Sequence, residues 1–548
     1  MSAEGSDAGG RRTANDSVRD SADFLIVGGG AAGSVLGNRL SEDSSVRVLL
    51  LEAGPDYAAT RDVPEDLLDA NQFPSSHDWG YQSEPGVLGR SIPVPRAKVI
   101  GGSTAHNGAV AGRGTPEDYD EWSRLGSPGW SFEQLLDDFR RLEDDPEGDV
   151  RYHGRGGPVP IRRYTDRLTL LHRSFIRTAT ASGFRRVEDV NGPDQVGVGV
   201  LARNVVDGVR QNASIAYLER VRQRTNLEIR GEAEVDRVVI EEGRAVGVML
   251  TSGELLLAGH VVLSAGVYGS PAILMRSGIG PAEELTSLGI DVVADAPGVG
   301  AHLVEQPIFT AVYAGDPAKL TEGTPPVQTM LTVAEPGSAG RPWLHVFPTT
   351  FAPGEMSPSG VAFEMNVGLL KPRSRGRVTL VSRDPKVPPR IDVNLLADPW
   401  DVASMVEGIR LARRLASTEP LASLHRGEVS RGDAVGDDED ALTAVLKAGV
   451  TFYNHANGTV RMGPRSDPHA VVDATGAVRG VAGLSVADAS IMPTPPSNPT
   501  TLTTLAIGEK IARDLHTRLS AARAAVPAAA SPPIATYADD LALELRSS

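Results

Sequence analysis

"ADFLIVGGGAAGSVLGNRLSEDSSVRVLLLEAG", residues 22–54, decides how the rest of the chain is read. Phe24 to Val27 form a short apolar run, as a parallel strand buried on both faces requires. Gly28, Gly30 and Gly33 follow in G-x-G-x-x-G spacing, and "AAGSVLGNRLSE" continues as a helix rich in small residues. "VRVLLLE" reads as a second strand ending at Glu52. This order of strand, glycine turn, helix, strand and acid is that of a dinucleotide-binding unit. The first glycine allows the tight turn, the second lets backbone approach a pyrophosphate, and the third brings helix against strand. The helix N-terminus stabilises the phosphate charge, and an acid about 20 residues on accepts the ribose hydroxyls. Glu52 disfavours a 2′-phosphate, so the unit suits NAD or FAD rather than NADP.

Outside this unit, 548 residues provide for two domains or one large α/β body with an inserted layer. The net charge of −16 argues against nucleic acid and against a membrane surface, and favours a soluble protein with the cytoplasm as its expected address. The absence of cysteine excludes disulfides, thiolate metal sites and cysteine nucleophiles. No apolar run approaches the roughly 18 residues of a membrane span. Residues 1–20 are polar and Gly/Ser/Asp-rich and are expected to be a disordered tail; 521–548 are expected to be a flexible Ala/Pro-rich one. Arg11 and Arg12 precede "TANDSV" rather than an apolar region, which speaks against an export signal. His77, His153, His172, His260, His425, His469 and His516 lack metal-ligand spacing, so no metal is expected. No G-x-S-x-G elbow is present for a serine hydrolase.

Four further stretches stand in order along the chain: "RAKVIGGSTAHNGAVAGRGTPEDYDEW" (96–122), "SAGVYGSPAILMRSGIGP" (264–281), "NHANGTVRMG" (454–463) and "VVDATGAVRGVAGLSVADASIMPTPPSNPTTLTTLAIGEKIA" (471–512). Together with the glycine turn they resemble the signatures of the glucose-methanol-choline (GMC) family of FAD-dependent oxidoreductases. "GVGAHLVEQP" (298–307) resembles a connecting motif but departs from its usual Asn-Leu-x-Asp-His, which leaves the part played by Glu305 and Gln306 open.

The resemblance implies an α/β fold with an α+β second layer. An FAD-binding part with a Rossmann-like parallel sheet would come from 21–160, 195–310 and 455–520. A substrate part on an antiparallel sheet would come from 161–194 and 311–454. "GRVTLVS" (376–382) alternates like a half-buried strand, and "DVASMVEGIRLARRLAS" (401–417) has apolar residues at helical spacing.

The resemblance also implies oxidation of an alcohol CH–OH group, with a hydride passing to flavin N5. His455 in "HANGT" matches the active-site histidine, as base or as alkoxide stabiliser, and a histidine pKa near 6.5 suits either role. Asn498 in "PPSNPTT" matches a position that carries His or Asn; asparagine can donate and accept hydrogen bonds but cannot act as a general base. Pro499 and Thr500 are expected along the pyrimidine edge of the isoalloxazine. Asp488 and Ala489 fall in a segment that approaches the flavin, Trp79 near the cofactor, and Val235 on the strand that contacts adenine by backbone. Gly101, Gly102 and Ser103 are expected to give close backbone approach to FAD, and Asn107 to lie near the isoalloxazine. His345, alternating with Phe347 in "PWLHVFP", is a candidate pocket residue.

His106 departs from the common pattern, in which an aliphatic residue precedes the asparagine. A minority of members, choline oxidase among them, carry histidine there and attach it covalently to the flavin, so a histidyl-FAD bond through His106 is expected. The partners implied are a small-molecule alcohol and oxygen or another electron acceptor; homo-oligomer formation is left open. Competing readings are a hydroxynitrile-lyase-type non-redox use of the same FAD fold, a NAD-dependent oxidoreductase, and a redox-inactive binding protein.

Overall fold

The computed structural model describes residues 21–430, 435, 436 and 438–525. The expected tail at 1–20 and residues 526–548 of the other lie outside the described residues. Among them, no helix is long and apolar enough to cross a membrane.

Two seven-stranded sheets organise the chain. The first has a parallel core in the order Leu227–Arg230, Val48–Leu51, Ala22–Val27, Leu255–Leu263, with Leu484–Val486 pairing parallel to the end of the last of these. Phe24 to Val27 are all buried, as their unbroken apolar run demands. The other half of strand Leu255–Leu263 carries the antiparallel extension Arg244–Leu250 and Val235–Glu241. Helix Ala31–Leu40 packs beside helix Thr500–Ala525. A Cβ at Gly508 would lie 2.8 Å from Val35 Cβ, so a glycine there sets how closely the two helices approach. Arg39 then grips Glu509 with two hydrogen bonds of 2.8 Å. This holds the C-terminal helix over the dinucleotide unit.

The second sheet is antiparallel, in the order His425–Glu428, Pro307–Gly315, Ala362–Leu369, Pro342–Thr349, Thr329–Ala334, Gly197–Val200, with Thr451–Phe452 also on Pro307–Gly315. Phe363, Met365 and Val367 point to one face, which is covered by helix Pro399–Ala416. Glu364, Asn366 and Gly368 point to the other, as strand alternation requires.

Three expectations need correction. Gly197–Val200 was placed with the parallel-sheet part, but it pairs with Thr329–Ala334 in the second sheet. Strand Pro307–Gly315 of that sheet likewise begins inside the segment 195–310. The residue alternation of a strand says nothing about which sheet it joins. The C-terminal tail does not begin at 521, because "AARAA" consists of good helix formers and the last helix runs through Ala525.

Candidate active site

Two glycines of the dinucleotide unit, Gly28 and Gly33, occupy positions that no other residue fits. Gly28 has φ +100°, and a Cβ on it would lie 2.5 Å from Ser264 O. A Cβ on Gly33 would lie 1.8 Å from Gly28 O. The segment at 101–105 rests directly on this turn: Gly101 N donates to Gly29 O at 2.8 Å, and a Cβ on Gly102 would come 2.7 Å from Gly30 Cα. Ser103 starts the next turn, its carbonyl accepting from His106 N and Asn107 N.

Glu52 is buried, and its two oxygens accept from Gly29 N and Gly54 N at 2.9 Å each. Burial raises its pKa, and these backbone bonds pull against that rise. Ala233 N bonds to Glu52 O, which brings Val235 to the same corner. Trp79 reaches that corner through Lys98, whose Nζ lies 4.3 Å from its ring centre and 2.8 Å from Glu234. Asp488 uses its carboxylate within the protein: it accepts from Gly266 N, Ser270 Oγ and Ser490 N. It thereby fixes the start of helix Gly266–Arg276, with Ala489 buried next to it.

His106 is almost wholly enclosed; its Nδ1 lies 4.0 Å from Asp78, and its Nε2 is buried with no hydrogen-bond partner. Burial, with Arg210 adding to it, lowers its pKa. The segment around it is clamped by Arg210, a fully buried side chain that the sequence did not single out. Arg210 donates to the carbonyls of Leu67, Gln72, Ala105 and Asn107 at 2.7–3.0 Å, on both sides of His106. Asn107 reaches Thr501 Oγ1 at 3.2 Å, so it meets the first turn of the C-terminal helix next to Thr500. The positive end of that helix therefore lies beside Asn107.

His455 is brought to the same region from the far end of the chain. Its backbone N–H donates to Glu305 at 2.7 Å, and its Nδ1 lies 2.6 Å from Gln306 Oε1. The orientation of the Gln306 amide is settled, because its nitrogen donates to Leu370 O and Pro496 O, which can only accept. Gln306 Oε1 must therefore accept from His455 Nδ1–H, which leaves the lone pair of the neutral imidazole on Nε2. Burial, with His345 and Arg96 adding, lowers the His455 pKa to about 3. Burial pushes Glu305 up to about 7 against the pull of Arg96, 3.6 Å away. These bonds give the two residues of the divergent 298–307 motif a definite place: Glu305 holds the backbone of His455 and Gln306 its side chain.

Asn498 lies two residues beyond Pro496, and Pro499 packs against Gly112, where a Cβ would be 2.9 Å from its ring. Asn498 Nδ2 donates to Gln195 Oε1 at 2.8 Å, and Gln195 is itself anchored on the carbonyls of Arg113, Gly114 and Gly192. This fixes the Asn498 amide, with its Oδ1 against Gly112, and leaves one N–H for a ligand.

The family model for GMC oxidoreductase matches residues 22–308 with its N-terminal part and 372–508 with its C-terminal part. The chain belongs to the GMC oxidoreductase family. The oxygen-dependent choline dehydrogenase of Rhizobium etli is 36% identical over 512 residues, covering 86% of this chain and 91% of its own. The crystal structure of pyridoxine 4-oxidase from Mesorbium loti superposes with a TM-score of 0.84 at 31% identity, covering 91% of this chain and 99% of that one. An FAD-dependent oxidoreductase from Chaetomium thermophilum gives 0.83 at 26% identity, covering 91% and 100%. As a GMC oxidoreductase, the protein is an FAD-dependent enzyme that oxidises alcohols.

The residues present fit that cofactor. The side-chain-free contact of the 28–30 and 101–102 turns admits a pyrophosphate, Glu52 keeps lone pairs for ribose, and His106 Nε2 is a buried nitrogen without a partner. Of the histidines read as structural, His153 joins Glu143 and Asp145 in a buried group of metal-ligand type. Its carboxylates are already neutralised within the protein: Arg163 binds Asp145 at 2.6 Å and Asp189 at 2.9 Å, and Arg113 lies 3.6 Å from Glu143. Burial opposes charge on His153, but its bonds to Asp189 and Glu143 outweigh that and raise its pKa. The cluster thus works as an internal salt-bridge network under the Gln195 loop.

Proposed function

We propose that the protein oxidises the CH–OH group of its alcohol with His455 as the base and Asn498 as the second hydroxyl-binding group. The observation that carries this reading is the Gln306–His455 bond, which presents an unprotonated Nε2. The substrate hydroxyl donates to this nitrogen and gives up its proton there, while the free Asn498 N–H steadies the oxygen. Bound FAD supplies the acceptor for the hydride at its N5. The 28–30 and 101–103 backbone would hold the pyrophosphate, Glu52 the ribose, and Val235, Trp79 and Ala489 the remaining approaches. Asn107, Pro499 and Thr500 would line the pyrimidine edge, where the helix N-terminus favours the negative charge that hydride transfer delivers. Oxygen or another acceptor would take up the electrons that the alcohol gives.

His455 accounts for a testable pH profile. Its depressed pKa keeps the base form present as pH falls, so the acid limb due to His455 in kcat/KM lies well below the usual histidine value of about 6.5. Gln306→Glu puts a carboxylate on Nδ1–H, favours the protonated imidazole and raises its pKa, so the limb moves toward neutrality. A kcat/KM profile that is unchanged in the Gln306→Glu enzyme would rule out this assignment.

The reading includes a covalent bond between His106 Nε2 and a methyl carbon of the flavin. His106 would hold the flavin through this bond, giving up its imidazole hydrogen; the balance would be one hydrogen from the methyl group and one from the imidazole, both taken up by oxygen as hydrogen peroxide. The low pKa of His106 keeps its imidazole neutral, as a nucleophile must be. Acid precipitation is expected to carry the yellow colour down with the wild-type protein and to leave it in the supernatant for His106→Ala. Colour wholly in the wild-type supernatant would refute the bond.

A further inference from the structure

We propose that the alcohol taken by this enzyme is an uncharged one with an apolar carbon chain or ring, and not a quaternary ammonium alcohol. The inference rests on the alcohol-oxidase reading above and concerns only the body of the substrate. A continuous run of apolar side chains in contact leads from the surface to His455, and it is the path the proposal assigns to the body of the substrate. Phe73, 59% exposed, packs on Phe351 with ring centres 4.4 Å apart. Phe351 and Tyr453 both pack on a small cluster that includes Leu201, Met330 and Phe347 and is separate from the main core. Phe347 stacks with Tyr453 at 6.0 Å, and Tyr453 lies 4.3 Å from the His455 ring. A Cβ on Gly368 would fall 2.6 Å from Tyr453 Cε1, so that glycine lets the tyrosine lie against the sheet. The other end of the path meets the flavin-facing segment: a Cβ on Gly108 would touch the Phe73 ring at 3.7 Å.

The polar residues on this sheet face bond to one another. Thr310 donates to Asn366, Asn366 to Thr349, and Thr349 to Glu364. Among the described residues Glu364 is the carboxylate of this face, and it stands four residues from Gly368, about 13 Å along the strand. Burial pushes its pKa up, while Thr349 and the N–H groups of Phe351 and Ala352 pull against that. On the other side, Glu305 faces Arg96. His345, fully buried and hydrogen-bonded to Tyr453, is kept neutral by burial. Among the described residues, the carboxylate nearest His455 is Glu305, already opposed by Arg96, so a cation there would give up its hydration at a cost that aromatic faces offset only in part. An apolar chain is stabilised by the same surroundings.

The test uses purified holoenzyme and measures kcat/KM for straight-chain primary alcohols of increasing length, benzyl alcohol, choline and glycerol, with anaerobic flavin bleaching in parallel. Along the alkanol series kcat/KM is expected to rise about 4-fold per methylene until the path is filled, and to exceed that for choline at least 100-fold. In Phe351→Ala, and separately in Phe73→Ala at the exposed mouth, the rise with length is expected to flatten for the longer alcohols while flavin content is kept. Turnover of choline or glycerol at or above the best alkanol, or a flat alkanol series, overturns the substrate class and leaves the alcohol-oxidase reading intact. Flavin that no alcohol in the panel bleaches overturns both.

Discussion

His455→Ala is expected to lower kcat/KM by about 10²- to 10⁴-fold, the usual range for loss of a positioned general base. The flavin spectrum and the flavin-to-protein ratio should stay at wild-type values, because His455 binds Glu305 through its backbone, which the variant retains. The measurement is steady-state kinetics with anaerobic bleaching of the bound flavin. A drop in activity that tracks loss of flavin would instead make His455 a cofactor-retention residue, and a drop below 10-fold would remove it from the proton-transfer step. His455→Gln separates the remaining roles. Glutamine can donate to an alkoxide but cannot take its proton, so it should be as impaired as alanine if His455 is the base.

Gly33→Ala is expected to abolish cofactor retention. Its methyl group would have to occupy a point 1.8 Å from Gly28 O, so helix Ala31–Leu40 must move off strand Ala22–Val27. That shift displaces the glycine turn on which the 101–102 segment sits. Overpacking of this kind costs about 1–3 kcal/mol, and the loss of bound dinucleotide lowers stability further by mass action. The expected protein is colourless, with a lower Tm that added FAD does not restore. Retention of wild-type absorbance near 450 nm would contradict the closeness of this packing. Gly266→Ala is a useful contrast, since a Cβ there meets nothing within 4 Å and only its positive φ is strained.

The parts that could be read from the chain have a local physical cause. The glycine turn, its flanking strands and Glu52 lie within 33 residues, where spacing and apolarity suffice to define a dinucleotide unit. Helix Pro399–Ala416 also followed from periodicity over 401–417, although the structure starts it two residues earlier, where Asp398 caps it with Pro399 behind. The strand Gly197–Val200 shows the opposite case: half of it is glycine, and it is a strand because Thr329–Ala334 pairs with it once the chain has folded back.

By itself, the sequence determined the dinucleotide unit, the helix at 401–417 and the two histidines set among motif residues. The tertiary structure alone decided how those histidines are held. Gln306 reaches His455 across 149 residues, Gln195 reaches Asn498 across 303, and Arg210 closes on the backbone around His106 from over 100 residues away. Neither glutamine carries a local signal, because an amide becomes informative only when its other hydrogen bonds fix which end faces the histidine or asparagine. The same holds for the apolar path from Phe73 to Tyr453, whose members come from five separate stretches of chain. Spacing along a chain reports geometry over one or two turns or strands, and the contacts that hold His455, Asn498 and His106 are all longer than that.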